Sequence, residues 1–147
     1  MMLQRIGALR FLLVFALAAC TPSEPIGIDN AWVRAPAPGR TVAAAYFDGI
    51  NRGASPVDLI GARTDAARSV EIHTHIHEGD LMQMRKVDAV TLPPGQPIAF
   101  APGGNHLMLF DFQAPASNRV PITLRFSDGT ELSIMFELRS TSGAPQP

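Results

Sequence analysis

The side chains best suited to chemistry lie in one stretch of the chain, from Val70 to Phe110. This stretch holds all four histidines of the 147-residue chain and three of its six methionines. Imidazole and thioether side chains alternate there with other residues, a period of two that places each set on one face of a β-strand. The three sets are His73, His75 and His77, then Met82 and Met84, and then His106 and Met108. The stretch therefore displays rows of nitrogen and sulfur donors.

Such a set of donors favours a soft metal ion. Thioether sulfur is neutral and polarisable, and together with imidazole it suits Cu(I). Ca²⁺ and Mg²⁺ prefer oxygen ligands, and structural zinc usually takes thiolates. We therefore predict copper. The alternative stays open that the histidines are solvated on a polar strand face and that the methionines fill gaps in a core.

A β-hairpin would bring some of these donors together. Glu78-Gly79, between two strand-like runs, is typical of a two-residue turn. With this turn His73 would face Met84, and directly opposed side chains have Cβ atoms about 4.5–5.5 Å apart, close enough to share one ion. The second strand carries polar residues on the face that its partner uses for the core. We therefore expect Leu81 to Val87 to form a short edge strand or an irregular loop.

The spacing of the donors matches a family signature. Ten residues separate His73 from Met84, and twenty-one separate Met84 from His106. Met108 completes a His-x-Met triplet. In this respect the chain resembles the PCu(A)C-type periplasmic copper chaperones, whose signature is a His, ten residues, a Met, twenty-one residues and then His-x-Met. The resemblance implies four Cu(I) ligands, which are His73, Met84, His106 and Met108.

The resemblance extends beyond the ligands, from about Gly27 to Leu138. It includes the segments NAWVRAPAPG, AAAYFDGINRG and PGGNHLML. It implies a cupredoxin-like domain, not an enzyme, that delivers copper toward the Cu(A) subunit of cytochrome c oxidase alongside a Sco-type copper protein. One departure is Thr74, where some members carry a methionine, so an additional thioether is absent.

Two histidines remain outside this set of ligands. His75 and His77 share a strand face with His73, and nitrogen donors without thioethers suit Cu(II). We therefore expect a second, weaker Cu(II) site at His75 and His77, beside the Cu(I) site. The alternative, that both are solvated side chains on an exposed face, stays open.

Short strand-like runs separated by turn residues fill the chain from Ile28 to Leu138. This regular spacing is typical of an all-β Greek-key β-sandwich, here a single domain that the resemblance makes cupredoxin-like. Trp32 should lie in the core, because aromatic side chains in strands usually pack. The predicted strands are Ile28 to Arg34, Thr41 to Ile50, Val57 to Arg63, Ser69 to His77, Leu81 to Val87, Gln96 to Phe100, His106 to Phe110, Pro121 to Phe126 and Glu131 to Leu138. In the last hairpin, alternation predicts seven core residues, which are Ile122, Leu124, Phe126, Leu132, Ile134, Phe136 and Leu138.

The first nineteen residues have the pattern of an export signal. Arg5 and Arg10 precede an apolar run that is too short to span a bilayer, which needs about 20 residues. The run ends in LAAC, which looks like a bacterial lipobox, so we expect Cys20 to be lipidated. We divide the chain into a lipoprotein-type signal peptide (1–19), the lipidated cysteine with its tether (20–26), the copper-binding domain (27–139) and a mobile tail (140–147). A free thiol or an intermolecular disulfide is the alternative for a lone cysteine in an exported chain.

Composition narrows the remaining functions. Twelve basic and thirteen acidic residues give a net charge of −1. The sequence has no stripe of basic residues that would indicate binding to nucleic acid. Blue-copper electron transfer needs a cysteine thiolate with two histidines, but the only cysteine lies in the lipobox. We expect a monomeric, membrane-anchored lipoprotein in the periplasm of a Gram-negative bacterium. The alternatives are a copper-buffering or copper-resistance lipoprotein without a dedicated recipient, and a structural lipoprotein without metal.

The substitution Cys20→Ser tests the lipid anchor. Because acylation needs the thiol, the variant should no longer incorporate a labelled fatty acid and should accumulate in an unprocessed or soluble form. Label incorporation and membrane fractionation measure the two effects. Normal processing with unchanged membrane retention would exclude a lipid on Cys20.

Overall fold

A computed structural model describes residues 25–79 and 81–140 of the chain. These residues form ten β-strands, and none of them belongs to a helix long and apolar enough to cross a membrane. The predictions for the export signal, for Cys20 and for the tail after Ser140 fall outside the described residues. The strands are β1 (Ile26–Arg34), β2 (Ala43–Asn51), β3 (Val57–Arg63), β4 (Ser69–Glu78), β5 (Leu81–Lys86), β6 (Val90–Leu92), β7 (Pro97–Phe100), β8 (His106–Phe110), β9 (Arg119–Phe126) and β10 (Glu131–Arg139).

One continuous network of hydrogen bonds joins the strands. Their order is β5-β4-β8-β2-β1-β10-β9-β3-β6, and β7 pairs with β2. Strand β1 links the two halves, because it runs antiparallel to β2 and parallel to β10. Its register shifts between Asp29 and Trp32, where Asn30 has a φ of 51°. An irregularity of this kind bends a strand, which helps β1 to serve both halves of the sheet.

A single apolar core fills the space between the two halves. Alternate residues along β8 and β9 point into it, as the period of a strand requires. Within it the ring of Phe47 stacks on that of Phe100, with centroids 4.3 Å apart, and meets the edge of Phe136. The all-β prediction is therefore confirmed. The buried residues of β8 and β9 are Leu107, Leu109, Val120, Ile122, Leu124 and Phe126.

All nine predicted strands are present, with ends within two residues of those expected. The structure adds β6, a strand of three residues that pairs with β3. A run this short shows no period in the sequence. Of the seven core residues predicted in the last hairpin, four are buried, which are Ile122, Leu124, Phe126 and Phe136. The others, Leu132, Ile134 and Leu138, are half-buried against the core.

The expectation that Trp32 lies in the core is wrong. Val33 is the fully buried residue at this end of β1, and neighbours along a strand point to opposite faces. Trp32 is half-buried on the outer face, where its ring centroid is 4.6 Å from that of Tyr46. The guanidinium of Arg139 lies 4.9 Å from the same ring. Trp32 therefore packs among side chains of the outer face. The preference of aromatic residues for strands does not show whether they lie on the outer face or in the core.

Candidate metal centre

The predicted donors lie on the outer face of the sheet, where β4 and β8 are neighbours. Ile72 of β4 and Leu107 of β8 are buried in the core, so the residues that alternate with them belong to the opposite face. These outer-face residues are Glu71, His73, His75, His106 and Met108.

His106 is the centre of this cluster. It pairs with His73 across β4 and β8, and its ring centroid lies 5.9 Å from that of His73 and 5.2 Å from that of His75. With metal–nitrogen distances of about 2.0–2.1 Å, two imidazoles that share an ion have centroids about 4.5–6.4 Å apart for angles between about 90° and 180°. Both histidines of β4 are therefore within range of sharing an ion with His106.

A backbone carbonyl orients the ring of His106. Its Nδ1 lies 2.9 Å from the carbonyl oxygen of Gly104. Because a carbonyl can only accept a hydrogen bond, Nδ1 carries the hydrogen and Nε2 keeps a lone pair. Gly103, with a φ of 82°, makes the turn just before this residue. Histidines that bind metals are commonly oriented by such a hydrogen bond.

The neutral state of the His106 imidazole also favours metal binding. Burial of the ring, which is only 4% exposed, lowers its pKa. The hydrogen bond to Gly104 partly opposes this shift, whereas His75, His73 and Arg34 add to it. The imidazole is therefore neutral near pH 7, and no proton has to leave before a metal binds.

Glu71 fixes the ring of His73. Its carboxylate accepts hydrogen bonds from His73 Nε2 at 2.9 Å and from Lys86 Nζ at 3.1 Å. These two hydrogen bonds lower the pKa of the Glu71 carboxyl. A carboxylate behind an imidazole sets its tautomer and turns the other nitrogen toward a metal. Nδ1 is therefore the nitrogen of His73 that is available as a ligand.

Two buried nitrogens of the cluster have no hydrogen-bond partner. They are Nδ1 of His73 and Nδ1 of His75. Buried polar atoms are normally paired, and an unpaired one costs about 1–3 kcal/mol. A bound metal ion would be the missing partner of these two nitrogens, so the cluster is suited to holding a metal.

Sulfur is needed to complete a metal site here. Within residues 25–79 and 81–140, no three side chains among His, Cys, Asp and Glu are grouped so as to hold a metal ion. Met108 is half-buried, with Glu71 and Ala44 as its strand partners on either side. Met84 is 57% exposed on β5. Because the thioethers would have to contribute, the arrangement favours a soft ion.

The predicted register of the β4–β5 hairpin is wrong by two residues. Glu78 pairs with Leu81, so Met84 faces His75 and not His73. The turns that close two-residue hairpins need a positive φ at their first central residue. Gly79 provides it with a φ of 64°, and a glutamate at that position would be strained. A shift of two residues keeps every side chain on its face, so Met84 stays on the side of the histidines.

Strand β5 is a regular edge strand, and each of its six residues is exposed. In the pairing of β4 with β5, Lys86 lies opposite His73, and Met82 lies opposite His77. The side chain of His77 is not among those that the structure describes. The second Cu(II) site at His75 and His77 therefore stays a prediction.

Sequence reasoning missed two residues that support the imidazoles, Glu71 and Tyr46. Glu71 continues the alternation of His73 and His75, so the sequence could have placed it on the same strand face. The ring centroid of Tyr46 is 6.3 Å from that of His106, and its hydroxyl accepts a hydrogen bond from Arg34. Burial raises the pKa of Tyr46, and Arg34 opposes this shift. No sequence signal links Tyr46 to the cluster before the pairing of β2 with β8 is known.

The fold and the donors together define a PCuAC-type domain. This chain is 31% identical to the solved structure "Copper-bound PCuAC domain from PmoF2", with a TM-score of 0.68, and the match covers 80% of this chain and 94% of that one. The "Solution structure of CuI-DR1885 from Deinococcus Radiodurans" is 29% identical, with a TM-score of 0.62, covering 86% and 84%. The resemblance inferred from the sequence and the cupredoxin-like sandwich are thus confirmed.

The chain belongs to the family described as "Putative lipoprotein LpqE-like", whose profile matches residues 26–138. A relative in Leifsonia xyli subsp. xyli, "Putative lipoprotein Lxx21020", is 32% identical over 125 residues. That match covers 83% of this chain and 74% of the relative. Both descriptions agree with the lipoprotein character expected from the sequence.

The lowered pKa of His106 predicts how the stability of the metal-free protein depends on pH. In the unfolded chain this histidine titrates near 6.5, but the folded state binds its proton only at lower pH. Its stabilising effect is therefore complete above about pH 6.5 and is lost as the pH falls below that value. Urea denaturation at about pH 7.5, 6.5 and 5.5 should show declining stability, and His106→Asn should flatten the slope. An unchanged slope in the variant would show that His106 is not the titrating group.

Proposed function

We propose that this protein is a periplasmic Cu(I) carrier that delivers the ion for assembly of the Cu(A) site of cytochrome c oxidase. Its ligands in this proposal are His73, Met84, His106 and Met108. The main support is the pair of buried, unpartnered Nδ1 atoms of His73 and His75 beside the free Nε2 of His106. The copper-bound forms named for PmoF2 and for the Deinococcus protein support copper as the cargo.

The chemistry of these donors suits a carrier. Thioethers have no proton to lose, and burial lowers the pKa of His106, so at these three donors Cu(I) binds near pH 7 without competition from protons. Neutral donors also leave the positive charge of the ion uncompensated. A recipient with thiolates, such as a Sco-type protein, would therefore bind the ion more strongly, since soft Cu(I) prefers thiolate sulfur. Transfer would then run toward the recipient.

Unequal exposure of the two sulfurs supports delivery over storage. Met108 is half-buried in the sheet, whereas Met84 is 57% exposed on an edge strand. An incoming ligand would displace Met84 first, while His106 and Met108 still hold the ion. Such a ligand exchange needs neither a redox step nor catalysis by the protein. A protein that only stored copper would gain from enclosing both sulfurs.

A lipid on Cys20 would hold the domain at a membrane surface, which we propose is the periplasmic side in a Gram-negative cell. Confinement to a membrane raises the effective concentration of a carrier near a membrane-bound recipient. The monomeric state belongs to the same proposal, since exchange of an ion needs only one carrier and one recipient.

Substitution of the two methionines tests the identity of the ligands. Met84→Leu and Met108→Leu combined in one variant should weaken Cu(I) binding clearly more than threefold and should affect Zn(II) far less, because a thioether is a poor zinc ligand. Competition titration with a Cu(I) chelator measures the affinity. Met135→Leu is the matched control, because Met135 is an exposed methionine on β10, away from the cluster. If both substitutions leave the Cu(I) affinity within about threefold, or about 0.6 kcal/mol, the thioethers are not ligands.

Direct transfer separates a chaperone from a buffer. The Cu(I)-loaded protein should pass its ion to a purified Cu(A) domain, with or without a Sco-type protein, faster than the ion dissociates into solution. The matched control is a small chelator of equal Cu(I) affinity, and the signal is the copper content of the recipient after it has been separated from the donor. A transfer rate equal to the dissociation rate would indicate a copper buffer.

A further inference from the structure

His75 lies closer to the centre of the cluster than the four-ligand signature implies. Its ring centroid is 5.2 Å from that of His106, compared with 5.9 Å for His73. Its Nδ1 is buried and has no hydrogen-bond partner. Across the hairpin it directly faces Met84, whereas His73 faces Lys86. The signature skips this histidine, but the fold places it among the donors.

The neighbours of the two histidines on β4 differ. Met84 lies opposite His75, where Cβ atoms are about 4.5–5.5 Å apart, and reaches His73 only along a diagonal of about 7–8 Å. On the other side, Met108 is the partner of Glu71, which makes it a diagonal neighbour of His73 and a more distant one of His75. Each sulfur is therefore closest to a different imidazole.

We propose that His75 is a fifth Cu(I) donor and that the cluster contains two overlapping sets of ligands that share His106. The inner set is His73, His106 and Met108, and the outer set is His75, His106 and Met84. This proposal rests on the Cu(I) binding proposed above, and it divides the donors according to the neighbours that the fold gives them. Within each set, two imidazoles and one thioether surround the ion.

The two sets differ in their position relative to solvent. The inner set includes His73, which the Glu71 carboxylate holds in place, and the half-buried Met108. The outer set includes the exposed Met84 of the edge strand. When the ion moves from the inner to the outer set, His75 replaces His73 and Met84 replaces Met108. No electron or proton is transferred in this exchange. His106 holds the ion throughout, so copper reaches the exposed edge without leaving the protein.

A double-mutant cycle tests whether the two histidines replace one another. His73→Asn and His75→Asn should each leave some Cu(I) binding, because one set survives in each variant. The double variant should lose at least about tenfold more affinity than the product of the two single losses, a coupling of about 1.4 kcal/mol. Met135→Leu, at an exposed residue of β10 away from the cluster, is the control, and thermal melting of each metal-free variant verifies folding.

Transfer kinetics give a second measurement that affinity alone would not predict. His75→Asn should slow the transfer of Cu(I) to an excess of chelator by a larger factor than it changes the affinity, because it removes the outer set. His73→Asn should not slow the transfer, because the outer set remains. Two-dimensional nuclear magnetic resonance of the imidazole nitrogens in the unsubstituted protein should show both His73 and His75 shifted by one equivalent of Cu(I).

The outcomes separate this inference from the proposed carrier function. If His75→Asn changes neither affinity nor rate while His73→Asn equals the double variant, the outer set does not exist, although copper carriage stands. If His75→Asn alone equals the double variant, the inner set does not exist, and the proposal of two sets also fails. If no histidine or methionine variant alters Cu(I) binding, the ion binds elsewhere and both proposals fail.

Discussion

The pairing of β4 with β8 is the interaction on which the candidate site depends. The same two strands pair Ile72 with Leu107 on the core side and His73 with His106 on the outer side. Burying each of these apolar side chains stabilises the fold by about 1.5–3 kcal/mol. A slip of one residue would expose them and turn the imidazoles into the core. The hydrophobic effect on one face therefore sets the register of the donors on the other.

Much of this arrangement follows from period and composition. Alternation along β8 predicts that His106 and Met108 share one face and that Leu107 and Leu109 anchor the other, and the burial of both leucines agrees. The register of the β4–β5 hairpin was beyond this reasoning, because turns that differ by two residues give the same faces. Only the backbone requirement at Gly79 separates the two registers, and its effect is to move Met84 from His73 to His75.

The supporting residues show a second limit of reasoning from sequence. Tyr46 and Trp32 lie far along the chain from His106, and they come near it because β1 and β2 continue the sheet beyond β8. Strand propensity places aromatic residues in strands, but it does not say which face they occupy. On the outer face here, Tyr46 lies beside His106, Arg34 lies over the ring of Tyr46, and Arg139 lies over the ring of Trp32.

Among the described strands, the edge strand β5 combines an unpaired outer backbone with exposed apolar side chains. Its outer backbone groups have no strand partner in the described sheet, and Leu81 and Met82 are exposed beside Met84. Such an edge can add a strand from another molecule and thereby begin aggregation. Arg85 and Lys86 place two charged side chains at the end of this strand, and charge on an edge disfavours pairing with a copy of itself. Both are also ion-paired with glutamates of β4, Arg85 with Glu78 and Lys86 with Glu71, so the side chains that guard the edge also fasten β5 to the strand that carries the histidines.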